Sequence, residues 1–201
     1  MPGKHDRRKR NRYPTYVPPE PTLDIQIEDG VGFTVEEIEA LVRPEAAQLA
    51  LLAPNLTFKV QTQYPSSTAT SAGTGRLPDG SIGYTTFRAT IYLDARSTAG
   101  FLVKPEYTVS HEYGHAWTLY HLTLTHQQDW SPWLDIRGLT GNPLLDSSYR
   151  WMKNEMIADD YRLLFGSEVA KSQGNYINRD VADPRTIEGL KSWFISEWAK
   201  S

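Results

Sequence analysis

The pentapeptide His111-Glu112-Tyr113-Gly114-His115 sets two imidazoles four residues apart, with a carboxylate directly after the first. On an α-helix, residues four apart differ by about 40° in azimuth and about 6 Å in height, so both rings project from one face toward one ion. Glu112 is one residue round from that face. It is poorly placed as a ligand of the same ion but well placed to take a proton from a water at an open coordination position. Zinc would supply the acidity that makes such a water a nucleophile near neutral pH. The spacing therefore predicts His111 and His115 as metal ligands, Glu112 as general base and Zn2+ as cofactor.

The surroundings favour a buried motif over a chance one. Apart from Glu112, no Asp, Glu, Lys or Arg lies between Thr108 and Thr123, whereas a surface helix would carry charges on its outer face. The alternative outside enzymes is a catalytically silent zinc-binding or regulatory module, in which metal only staples the fold. Glu112 argues against it, because a structural zinc is closed by four protein ligands and has no use for a neighbouring base.

On these residues the chain resembles the zincin metallopeptidases, whose active-site helix carries H-E-x-x-H between uncharged flanks, here Thr108 to Trp117. Downstream, Asn154-Glu155-Met156-Ile157-Ala158-Asp159 is similar to the helix that brings the third ligand in the gluzincin branch. The resemblance implies Glu155 as third zinc ligand, and Asp159 as the carboxylate that braces a ligand histidine through its other ring nitrogen. Taken alone, Glu155 and Asp159 read as a solvated helix face; Lys153, Asp160 and Arg162 read as the solvated positions of the same helix. The strand Ala89 to Leu93 resembles, in placement, the substrate-binding edge strand of zincins. The implied activity is hydrolysis of a peptide or protein substrate by a zinc-activated water.

A metzincin-like pattern competes, because His111 to His121 reads H-E-x-x-H-x-x-T-x-x-H with Thr118 where that branch has glycine. A helix that continues past Thr118 would turn His121 about 240° away from His115 and off the metal. Tyr149 and Tyr161 flank the second helix and are candidates to stabilise an oxyanion. Trp130 and Trp133 suit either a specificity pocket or packing anchors.

The elements that must hold these residues read as an α+β domain, zincin-like by the resemblance, with a small mixed or antiparallel sheet and a helical C-terminal part. A capping box of Thr34 with Glu37 opens a helix, kinked or restarted near Pro44, that runs on through Leu49, Leu51 and Leu52. Residues 56–60 read as a strand, Ser66 to Gly75 as a loop, and Gly83 to Leu93 as a strand pair or one bent strand. Pro105 starts a helix to about Leu122, and residues 125–147 read as a long connection. Trp151 to Phe165 is helical by period, and Pro184 begins a last helix through Trp198, docked by Trp193, Phe194 and Trp198.

With 201 residues, one domain is expected over residues 23–201, preceded by a disordered arm over residues 1–22. In the arm, Lys4, Arg7, Arg8, Lys9, Arg10 and Arg12 oppose only Asp6 and Glu20, so of the formal net charge of −3 the remainder carries −7. Such an arm can touch nucleic acid or an acidic surface, or be a solvated tail. No apolar stretch follows its charges, and none elsewhere is long enough to cross a bilayer, so a cytoplasmic location is expected. With no cysteine in the chain, disulfides and thiolate metal sites are excluded, leaving histidine and carboxylate as ligands.

Overall fold

The computed structural model describes residues 23–48, 56–96 and 100–198. The arm expected over residues 1–22, and Leu49, Leu51 and Leu52 of the expected first helix, lie outside the described residues. β1 (Leu23–Ile27), α1 (Val35–Gln48), β2 (Leu56–Gln61), β3 (Ser67–Arg76) and β4 (Ile82–Asp94) form the first half. α2 (Gly100–Val103), α3 (Pro105–Leu124), α4 (Ser131–Ile136), α5 (Lys153–Phe165), α6 (Glu168–Ser172) and α7 (Leu190–Trp198) follow. This is a mixed α+β architecture around a four-stranded sheet of order β1-β2-β4-β3. β1, β2 and β4 run parallel, and β3 lies antiparallel to β4 along the edge.

Side-chain alternation gives the sheet one buried face. Leu56, Phe58 and Val60 of β2 and Ala89, Ile91 and Leu93 of β4 are all buried, while the residues between them remain partly exposed. α3 packs against β4 on one side and α5 on the other, so it is enclosed on nearly every face. Every residue from Thr108 to Thr118 is buried, which accounts for the missing charges. Pro105 occupies the first turn of α3, where its absent N–H costs no hydrogen bond.

The first helix begins as its cap predicts: the Glu37 N–H donates to Thr34 Oγ1 (3.2 Å) and the Thr34 N–H to Glu37 Oε2 (2.8 Å). Pro44 lies inside α1, which continues to Gln48. The segment expected as a loop, Ser66 to Gly75, is instead strand β3. Its Ser, Thr and Gly content hides this because an edge strand exposed on both faces needs no apolar alternation; its register comes from pairing with β4. Residues 82–94 form one strand, internal to the sheet and paired with both β2 and β3. Ala89–Leu93, given an edge position by resemblance, is therefore internal, and the edges are β1 and β3.

The connection after α3 holds α4, anchored by Trp133, which is fully buried and ring-packed against Trp130. The last helix starts later than Pro184: Pro184–Thr186 is a 3₁₀ turn, Gly189 takes φ 78°, and α7 begins at Leu190. Phe194 docks it against Trp117 and Phe165. No helix among the described residues is long and apolar enough to cross a membrane.

Candidate metal centre

His111 and His115 lie on α3 with ring centroids 4.9 Å apart, and Glu155 reaches them from the first turn of α5. One Glu155 oxygen is 3.3 Å from His111 Nε2, and the other is 3.5 Å from His115 Nε2. The side chains of His111, His115 and Glu155 are only 8%, 7% and 12% exposed. One ligand atom from each residue can be chosen so that all lie within 4.8 Å of one another, and no other such group of His, Asp and Glu occurs among the described residues. This group can hold a metal ion. Tetrahedral zinc with bonds of roughly 2.0–2.1 Å separates its ligand atoms by roughly 3.4 Å, close to the two nitrogen–oxygen distances found.

One further contact suits a cation. Asp159 Oδ1 lies 3.5 Å from His111 Nδ1, the nitrogen facing away from Glu155. Burial lowers the His111 pKa, but Asp159, Glu155 and Glu112 outweigh it and raise the imidazole to about 10. The carboxylates around His111 thus make a place for positive charge, which a divalent ion would supply. Burial alone would raise Glu155, yet His111 and His115 hold it well below the usual carboxylate range.

Asp159 is itself held from behind. The Arg162 Nε–H donates to its Oδ1 at 2.6 Å and the Ile177 N–H to its Oδ2 at 2.7 Å. Arg162 also donates to the carbonyls of Ala170 and Asn175, at 3.0 and 3.1 Å. Asp160 and Arg162, read from sequence as solvated, are fully buried: Asp160 accepts from the Trp133 indole (3.0 Å) and lies 3.3 Å from Arg137 Nε. Charge alone could not reveal this, because each ion finds its partner across the fold or within the buried helix.

Glu112 stands apart from the three converging atoms. Its Oε2 accepts a 2.7 Å hydrogen bond from the Thr68 hydroxyl of β3, which also lies 3.0 Å from the Glu112 carbonyl. Sequence reading missed Thr68 because it treated the segment as a loop. Gly114 was also passed over: a Cβ there would sit 2.6 Å from the Ala158 carbonyl oxygen, so α3 and α5 cross in close contact.

The remaining candidates separate cleanly. α3 continues unbroken past Thr118, and His121 packs on Trp117 with ring centroids 4.2 Å apart, outside the His111, His115 and Glu155 group. Burial, aided by His126, pushes its pKa down to about 3. Tyr161 is fully buried and donates to the Glu45 carbonyl at 3.3 Å, so it does not face the centre. Tyr149 lies in a 3₁₀ turn just before α5, largely exposed, and desolvation together with the negative charge of Glu155 pushes its hydroxyl pKa up. The chain matches no protein-family model, and neither a curated protein nor a solved structure is significantly similar to it.

Proposed function

We propose that the chain is a zinc-dependent metallopeptidase of zincin type, with His111, His115 and Glu155 holding the ion and Glu112 acting as general base. The observation that carries the reading is the convergence of three ligand side chains from two helices while the adjacent Glu112 carboxylate is held aside by Thr68. A bound zinc would polarise the scissile carbonyl and acidify an attacking water. Glu112 takes the proton of that water as its oxygen bonds to the carbonyl carbon, then passes the proton to the departing amine as the C–N bond breaks. Asp159 fixes the His111 ring through Nδ1, leaving Nε2 for the ion.

Tyr149, exposed beside Glu155, is the tyrosine placed to donate to a developing oxyanion. The outer edge of β3 has no strand partner among the described residues, so an extended peptide can pair along it and pass Glu112 at Thr68. Peptide or protein is therefore the substrate class. The basic arm would add, at most, a salt-sensitive contact with nucleic acid or an acidic surface.

The test is hydrolysis of a mixed peptide library by the full chain. Cleavage is expected to stop on chelation, to return with zinc, and to fall by several orders of magnitude in Glu112→Gln. Cleavage that survives both chelation and Glu112→Gln would rule the reading out.

A further inference from the structure

We propose a second site, for a small ligand bearing two phosphate groups, in the cleft between the start of α3 and the segment from α6 to Arg185. The cleft has a volume of about 660 Å³. Lys104, Lys171, Arg179 and Arg185 all line it, and no Asp or Glu does. This concentration of cations stands against the acidic balance of the chain beyond residue 22.

Carboxylates just outside the lining compensate two of the four cations, Lys171 and Arg185, and leave the other two. Glu168 pairs with Lys171 at 2.8 Å, Asp183 with Arg185 at 2.5 Å, and Asp180 with Arg150 at 2.9 Å. Glu106 accepts from Gln173 at 2.6 Å. Lys104 and Arg179, both exposed, have no ion-pair partner among the described residues; Lys104 has only the Tyr107 ring, 5.8 Å from Nζ. The backbone N–H groups of Gly174 and Asn175 in the lining also lack acceptors among the described residues. Two uncompensated cations, Lys104 and Arg179, and two unused backbone donors therefore remain in the wall.

Phosphate matches that wall better than a carboxylate does. Each phosphate offers three strong acceptor oxygens and nearly two negative charges, and both Lys and Arg bind it by charge-assisted hydrogen bonds. The volume exceeds that of a single inorganic ion and falls in the usual range for small-molecule sites. The cleft is separate from the metal centre: Tyr107 stands between, its ring stacked on His111 at 6.0 Å and on the Arg162 guanidinium at 4.2 Å. The proposal does not depend on the peptidase reading.

The experiment is calorimetric titration of the full chain with fructose 1,6-bisphosphate, and separately with a single-stranded oligonucleotide. Saturable one-to-one binding of the bisphosphate is expected. Lys104→Gln/Arg179→Gln should weaken it at least tenfold, about the cost of one charge-assisted hydrogen bond. Lys59→Gln/Arg88→Gln, an equal charge change on the sheet, should leave it unaltered. No saturable binding, or equal weakening in both double variants, would overturn the site. Binding of the oligonucleotide but not the bisphosphate through Lys104 and Arg179 would overturn the small-ligand assignment.

Discussion

The backbone carbonyl of Ala158 occupies the space that a side chain on Gly114 would need, with only 2.6 Å left for an added Cβ. Gly114 lies inside the histidine motif, and Ala158 lies one turn beyond Glu155. The contact therefore sets how near the third ligand comes to the first two.

Gly114→Ala must push α5 away from α3, because the obstacle is backbone and cannot rotate aside. We expect a stability loss of about 1–3 kcal/mol, typical of overpacking, together with weaker zinc binding. Urea unfolding and competition with a chromophoric chelator check the two effects. Wild-type zinc affinity in the variant would show that the crossing does not position Glu155.

Thr68 is expected to orient Glu112 without touching the ion. On the peptidase reading, Thr68→Val should lower kcat by roughly tenfold, within the range attributed to positioning of catalytic groups. KM and zinc content should stay near wild type, and Thr68→Ser should restore most of the rate. Steady-state kinetics on one cleaved peptide decide it; an unchanged kcat in Thr68→Val would remove Thr68 from the site.

Burial raises the Asp160 carboxyl to about 7, against the opposing pull of Arg137 and Trp133. The unfolded value is about 3.9, so between these limits the folded chain keeps a proton that the unfolded chain has lost. The resulting stabilisation is complete below about pH 4, falls as pH rises and is gone above about pH 7. Asp160→Asn lacks this titration, so its stability relative to wild type should improve by at least about 1 kcal/mol between pH 5 and pH 8. Urea midpoints at the two pH values check it. Parallel profiles would mean that Arg137 keeps Asp160 ionised throughout.

The sequence was most legible where one local rule governs. Two histidines at helical spacing, the Thr34–Glu37 cap and Pro105 at a helix start each carry their meaning within a few residues. Glu155 and Asp159 required a resemblance, since a Glu and an Asp four apart also describe any wet helix. Partnership over distance was hidden: Thr68 acquires its role only when β3 pairs with β4 and meets Glu112, 44 residues on. The same holds for Asp160, whose charge suggests solvent until the fold brings it to Arg137.

The most direct measurement is the zinc content and affinity of the full chain beside its Glu155→Ala, Asp159→Ala and His121→Ala variants, by elemental analysis and chelator competition. About one zinc per chain is expected in wild type. Glu155→Ala should lose most of it, Asp159→Ala should bind roughly ten to a hundredfold more weakly, and His121→Ala should bind as wild type. A chain that takes up no zinc, or one that loses it with His121→Ala while Glu155→Ala retains it, would contradict the metal centre described.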